Sequence, residues 1–385
     1  MEYLSNDLKL ILECCKASSN KETINKLCTK IENWENFLNL SYRHGVLPLV
    51  YKGLKNESIP QVIKEHFQSQ NLSIAKNNLL LSAELCMISR ELQKNNIQYK
   101  AFKGPLLSLQ TLEDVTQRQY LDLDILVRKE QVYQTAKLLL QYGYQPMNTI
   151  EFLKNEAKLC KEKNYEFFHS KKLIKIELHW KLLNNHLLGK LDNYNIWVEN
   201  DTVSLYNHQI TSLNFNIQLL YLCSHGTAHL WERIEWIVDI DRLIRNNLST
   251  IQWSQLLYMA KKFHSLQAFL LGMALTQNLF HTPLPKEIEN ELKKQTTIQT
   301  AVITVVTAME KQKFHLLQDT EENILLFQLY LQLETSISKK IVYIFQTLFH
   351  YSNHDIMTVN LPKKLYFLYY FIRIYRLSKK YIFKK

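Results

Sequence analysis

The stretch Tyr120-Leu121-Asp122-Leu123-Asp124-Ile125-Leu126-Val127 alternates apolar and acidic side chains and then ends in three aliphatics. Alternation of period two predicts a strand with one wet and one dry face. Leu121, Leu123 and Ile125 would anchor the dry face. Asp122 and Asp124 would share the other, roughly 6.5 Å apart along the chain. Two carboxylates so placed repel, and both stay ionised most easily with a cation between them. Oxygen ligands in that arrangement suit Mg²⁺, which takes one or two carboxylates together with substrate phosphates. For this stretch alone, a solvated acidic edge strand is the plain alternative.

The neighbouring sequence favours chemistry. Ile97 to Phe102 reads as a short strand running into Lys103-Gly104-Pro105, with a helix from about Leu106 to Leu112. Glycine allows close backbone approach, a helix N-terminus offers N–H donors, and Lys103 adds charge for phosphates. Arg118 stands four residues before Asp122. Further on, Lys129 to Tyr142 is helical, and Tyr165–Phe168 and Leu173–Leu182 read as strands joined by a turn at Ser170-Lys171-Lys172. The second strand places Ile176, Leu178 and Trp180 on one face and Lys175, Glu177 and His179 on the other. Glu177 would supply a third acid to the sheet face. Three converging acids are what a two-metal phosphoryl or nucleotidyl transfer site needs. His179 shares that face; Glu177, or less readily His179, would assist deprotonation. Trp180 is assigned to the core.

Helical spacing dominates both flanks. In the first 95 residues, His44-Gly45-Val46-Leu47-Pro48 breaks two helices, and a long helix runs from about Ser73 to Lys94, with Leu79, Leu80, Ala83, Cys86, Met87 and Leu92 as its apolar positions. From Leu213 helices follow near Asn214–Ala228, Glu232–Arg245, Trp253–Lys262, Leu266–Asn278, Ile298–Lys311, Ile324–Leu333, Lys339–His350 and Pro362–Tyr375. The expected fold is α+β and helix-rich overall. It divides into an N-terminal helical region (1–95), an α/β core (96–212) and a C-terminal helical domain with a basic aromatic tail (213–385).

A second constellation is His225-Gly226-Thr227-Ala228-His229-Leu230-Trp231-Glu232-Arg233. On one continuous helix His225, His229, Glu232, Trp236 and Asp239 would share a face. Gly226 stands where a zinc protease needs glutamate, which excludes that class. A His-x-x-x-His zinc site, buried interface histidines, and a wall contacting base, phosphate or co-substrate all stay open.

Composition narrows the rest. The 385 residues, 46% hydrophobic, support a sizeable core, and only 7 Gly and 7 Pro argue against a turn-dense all-β chain or a low-complexity one. The net charge of +11 favours an anionic partner. Much of it lies in residues 361–385, which hold eight Lys or Arg and no acid, interleaved with Tyr and Phe. That tail reads as a docked terminal helix, an RNA contact or an interfacial helix on anionic lipid. Six scattered cysteines contain no CxxC pair, no charged-then-apolar opening segment with a small-residue cleavage site is read, so secretion is not expected, and there is no apolar run of about 18 residues. A cytoplasmic chain without a transmembrane segment is therefore expected.

Taken in order, several stretches resemble the uncharacterised bacterial nucleotidyltransferase family of the DNA polymerase β-like superfamily. They are Asn33–Leu38, Arg43–Leu49, Lys103–Leu107, Arg118 with Asp122–Val127, Glu177-Leu178-His179-Trp180, and His225-Gly226 through His229, Trp231, Arg233, Trp236 and Asp239. The match runs over roughly residues 30 to 245. The resemblance implies a minimal nucleotidyltransferase core, with Asp122 and Asp124 on the metal, Glu177 as third acid, and Lys103 and Gly104 in the phosphate-binding turn. The superfamily's usual serine after the glycine is Pro105 here, which removes a hydroxyl and an N–H; Ser108, one turn later, is the candidate replacement. The implied activity is Mg²⁺-dependent transfer of an NMP from an NTP such as ATP to an unidentified acceptor: small molecule, peptide, protein or tRNA. The ions would be two Mg²⁺, with Mn²⁺ as substitute. Arg118, His179, His225, His229 and Arg233 would contact the nucleotide or acceptor. A catalytically silent binding module for nucleic acid or protein, and a zinc-binding regulator using His225 and His229, are the other classes.

Overall fold

The computed structural model describes residues 4–147, 149–154, 159–160, 162–183, 190–191, 194–198, 201–312, 319–349, 365 and 368–381. Helices α1 (Asn6–Cys15), α2 (Lys21–Cys28), α3 (Trp34–Arg43) and α4 (Leu47–Leu54) open the chain. Ser5, Asn20 and Asn33 cap the first three by accepting the N–H three residues on. The expected break stands between α3 and α4, where Gly45 has φ +73° and Pro48 enters the first turn of α4. Helix α5 (Gln61–Lys94) starts earlier than the periodicity suggested. Its buried stripe is Ile74, Asn78, Leu81, Leu85, Ile88 and Leu92, at steps of three and four. Leu79 and Leu80, expected inside, lie off that stripe and face solvent.

The strands are β1 (Tyr99–Phe102), β2 (Asp122–Val127), β3 (Gln145–Pro146), β4 (Asn164–His169) and β5 (Ile174–His179), with α6 (Gly104–Leu112) and α7 (Val132–Gln141) between them. They form one mixed sheet in the order β1-β2-β5-β4-β3, parallel only between β2 and β5. Register decides which residues meet. Phe102 pairs with Asp124, Asp124 with Glu177, and Glu177 with Glu166. By alternation Asp122, Lys175, His179 and Asn164 lie on that same face. The opposite face is apolar: Tyr99, Ala101, Leu123, Ile125, Val127, Tyr165, Phe167, Ile174, Ile176 and Leu178 join one buried cluster with α5 and α7. Trp180 joins it as expected, its Nε1 donating to the Leu159 carbonyl at 2.8 Å. Leu121 does not anchor this face. It precedes β2 and is 62% exposed.

A separate hairpin, β6 (Asp201–Leu205) and β7 (His208–Ser212), was not foreseen. Its turn residues Tyr206 and Asn207 have φ of +48° and +62°. The twist of a two-residue hairpin demands that conformation, but these residues are not the usual Asn-Gly signal.

The C-terminal helices are α8 (Phe215–Ala228), α9 (Ile234–Asn247), α10 (Trp253–Lys262), α11 (Leu266–Phe280), α12 (Lys286–Lys294), α13 (Thr296–Gln312), α14 (Asp319–Leu333), α15 (Ile337–Phe349) and α16 (Tyr369–Tyr381). All but α12 were expected within a few residues, apart from the start of α14 at Asp319 and the ends of α16. In α12 only Ile288 and Leu292 are apolar and buried, so its charged sequence hides it. One continuous apolar cluster runs through α1–α4 and α8–α14 and takes in Phe102, Leu107 and Leu126. In the tail, Tyr369 is fully buried and Arg373 donates to the Thr347 carbonyl. The expected helix start at Pro362 and the basic end at 382–385 lie outside the described residues. No described helix is long and apolar enough to cross a membrane.

Candidate active site

On the polar face of the sheet, acids and cations interlock. His179 Nε2 lies 3.0 Å from Asp124 Oδ1 and 3.3 Å from Glu177 Oε2. Carboxylates only accept, so Nε2 carries the hydrogen between them. Asn164 Nδ2 donates to Glu177 Oε2 at 2.8 Å. Lys175 Nζ lies 2.8 Å from Glu177 Oε1, 3.1 Å from Asp122 Oδ2 and 3.8 Å from Glu166 Oε1. Asp124, Glu177 and His179 each offer one ligand atom, all within 4.8 Å of one another. They are the only such group of three or more among the described residues. Asp122, expected beside Asp124 on the ion, lies outside this group and pairs with Lys175.

The carboxyl groups differ in acidity for physical reasons. Burial works to raise Asp124, but Lys103 and His179 outweigh it and hold the carboxyl below the ordinary range. Burial likewise opposes ionisation of Glu177, and the hydrogen bonds from His179 and Lys175 bring it well below. Asp122 goes the other way: burial, then the charges of Asp124 and Glu177, push it up despite Lys175.

Lys103 and Gly104 form the bend from β1 into α6, with φ of +57° and +45°. Such backbone is costly for lysine and ordinary for glycine. The bend aims Lys103 inward: its Nζ lies 3.7 Å from Asp124 Oδ1 and 5.4 Å from the Tyr221 ring centre. Burial disfavours that ammonium, but Asp124 and Tyr221 outweigh it and raise the pKa, so the charge is fixed. No side chain caps α6, and Pro105 has no N–H. Ser108 does not turn to this site. It is fully buried, and its hydroxyl donates to the Asp114 carbonyl at 2.6 Å.

Arg118 reaches the cavity wall but is already engaged. Its Nε lies 3.0 Å and its Nη2 3.0 Å from the carboxylate of Asp239, and Glu235 Oε1 is 3.6 Å away. Arg233 Nη2 lies 3.2 Å from Glu235 Oε2. Gly45 seats this cluster: a Cβ there would fall 2.5 Å from both Arg233 Nη2 and Glu235 Oε2. Asn78 of α5 donates to the carbonyls of Val115 and Arg118, fixing the long connection between α6 and β2.

The chain does not run from His225 to Asp239 as one helix: it forms the two helices expected to Ala228 and from about Glu232, with a break between them. Helix α8 ends at Ala228, and Leu230 and Trp231 take φ of +52° and +53°. The Trp231 ring then packs on Gly226, where a Cβ would meet it at 2.6 Å. The break still gathers three rings. His225 lies 4.8 Å from His229 and 5.0 Å from Trp236 between ring centres, and His229 lies 5.8 Å from Trp236. Burial, then Lys163 and Lys103, lower His229 to about 4. Burial, then Lys103 and His229, bring His225 well below its usual value. Both are neutral at physiological pH.

These parts enclose a cavity of about 380 Å³. Its lining includes Lys103, Gly104, Arg118, Asp122, Asp124, Glu177, His225, His229 and Arg233, all expected from sequence, with Gln119, Lys163, Asn164 and Trp236. His179 lies fully buried behind Asp124. Lys163 and Asn164 carried no sequence signal, because only the β4–β5 register brings them here.

An acid-bearing mixed sheet beside a helix start, closed over by helices, defines a nucleotidyltransferase-like protein. The chain belongs to the uncharacterised nucleotidyltransferase family, whose model matches residues 31–281. It is also similar to the crystal structure of an antigenic nucleotidyltransferase-like protein from Paracoccidioides brasiliensis. Identity is 11% and the TM-score 0.30, with 49% of this chain and 91% of that chain covered. No curated protein matches the chain.

Proposed function

We propose that this chain transfers an NMP from a Mg²⁺-bound NTP to an acceptor, using the cavity above Asp124 and Glu177. The observation that carries this is the juxtaposition of a three-donor cluster with a fixed ammonium and a glycine bend at one cavity floor. Asp124, Glu177 and His179 would hold a divalent ion, which would take the place of the hydrogen on His179 Nε2; two carboxylates suit Mg²⁺, and the imidazole suits Mn²⁺ as well. Such an ion would neutralise phosphate charge and polarise the phosphorus that is attacked.

The protein's own groups do the rest. Lys103 and the Gly104 backbone bind the phosphates. Arg233, half-buried at the rim, adds a second cation. Arg118, held by Asp239, positions the connection between α6 and β2 rather than reaching for phosphate. The neutral rings of His225 and His229, with Trp236, give the base or acceptor an aromatic wall. The acceptor oxygen attacks the α-phosphorus in line, a hydroxyl acceptor passing its proton to Glu177, while the α–β phosphoanhydride bond breaks and pyrophosphate leaves. The α/β core of residues 96–212 carries this chemistry, and the flanking helical regions close the cavity.

Calorimetry of the four NTPs with Mg²⁺, on wild type and on the Asp122→Asn/Asp124→Asn double variant, tests the reading. Metal-dependent binding of one NTP, lost in the variant, is expected and would name the donor. No binding to wild type would move the assignment to a catalytically silent binding module, a reading favoured by Pro105 in place of the usual serine.

A further inference from the structure

Lys175 occupies an unusual place. It is the register partner of Asp122 across the parallel β2–β5 pair, and it precedes Glu177 by two on the same strand face. Its ammonium lies 3.1 Å from Asp122 Oδ2, 2.8 Å from Glu177 Oε1 and 3.8 Å from Glu166 Oε1. Three carboxylates from three strands thus converge on one nitrogen. Glu177 is the hinge of the arrangement: Oε1 faces Lys175, while Oε2 faces His179 and Asn164. A carboxylate shared in this way between two positive centres is what a pair of divalent ions requires. Here one of the two centres is a side chain.

We propose that the Lys175 ammonium stands in for the second divalent ion, so that this chain takes up a single ion at Asp124, Glu177 and His179. This rests on the nucleotidyltransferase reading above and narrows it from a two-ion to a one-ion site. The charge count agrees. Asp122, Asp124, Glu166 and Glu177 face Lys103 and Lys175 at close range, with Lys163 also on the cavity wall, so the acidic excess suits one divalent cation rather than two. With a permanent positive charge beside Asp122, a second divalent ion would meet repulsion where it needs ligands. Replacing Lys175 by an uncharged side chain frees the three carboxylates for an ion.

The test is the number of Mn²⁺ ions bound by the full-length chain in the presence of ATP. It is read from the loss of the free Mn²⁺ electron paramagnetic resonance signal and corrected for Mn²⁺ held by ATP alone. Wild type is expected to bind one ion, and Lys175→Met two. Lys175→Gln serves as a second variant, with thermal melting of each to confirm folding; Lys175 is a third exposed, so neither change opens a cavity. Two ions on wild type would overturn the inference while leaving the transferase reading intact. One ion on both folded variants would also overturn it, since Lys175 would then not occupy an ion's place. No ion on wild type would overturn this inference and the transferase reading together.

Discussion

Two ionic clusters border the same cavity, and they differ in charge balance. On the helical side, Arg118 and Arg233 face Asp239 and Glu235, two charges against two. On the sheet side, four carboxylates face two lysines. The helical cluster is therefore balanced, with no excess to draw a cation, and only Arg233 is open to the cavity rim. The sheet cluster is left with an excess that a cation would satisfy. Burial alone does not separate them, because Asp124 and Asp239 are both nearly inaccessible. Paired charge makes one cluster a fastening; unpaired charge makes the other a site.

The largest effect should come from breaking the fastening. Arg118→Met leaves Asp239 and Glu235 buried without their main partner, which costs about 3–5 kcal/mol. Urea denaturation should show that loss in the absence of any nucleotide. A variant that kept its stability but lost NTP binding would instead make Arg118 a phosphate ligand. Next comes Gly104→Ala. A Cβ there has room, its nearest neighbour being the Asp122 carbonyl at 3.5 Å. The penalty is therefore backbone strain at φ +45°, about 1–2 kcal/mol. If the bend serves phosphates, the alanine variant should also weaken NTP binding.

How far the sequence foretold this division depends on the kind of signal. Period-two alternation placed Asp122, Asp124, Glu177 and His179 on one face, and the β2–β5 register agrees. The same alternation placed Lys175 there without hinting that it would sit among three acids, because that depends on which strands are neighbours. Arg118 looked like a phosphate ligand for the same reason. Its partner Asp239 is 121 residues away, and no local pattern links them. Helical periodicity ended one helix at Ala228 and began the next near Glu232, as observed, but did not give the shape of the break between them. The left-handed residues there are Leu230 and Trp231, which give no turn signal, and the bend follows from the packing of Trp231 on Gly226.

Ser108 extends the contrast to a neutral group. Its hydroxyl belongs to the Asp114 carbonyl. Ser108→Ala should cost about 1 kcal/mol in urea denaturation and leave metal-dependent NTP binding unchanged within about a factor of two. A larger loss of binding at unchanged stability would return Ser108 to the phosphate-binding turn.

The smallest change in stability should come from Asp122→Asn, although it removes a charge just as Arg118→Met does. Burial first, and then Asp124 and Glu177, push the Asp122 carboxyl up. A carboxyl raised on folding binds its proton more tightly folded than unfolded. Its ionised form therefore works against the fold at neutral pH, and that opposition disappears as pH falls through the folded value. The loss of its contact with Lys175, a partly exposed pair, offsets some of the gain. The expected net change near pH 7 is within about 0.5 kcal/mol of zero, or slightly stabilising. Acidifying toward about pH 4 should erase any advantage over wild type. Asp124 and Glu177 are depressed, so their stabilising contributions are present above the ordinary carboxylate range and are lost only as pH falls below it. A destabilisation by Asp122→Asn comparable to that of Arg118→Met would mean that the sheet cluster, too, is a fastening, and its excess charge would then not mark a site.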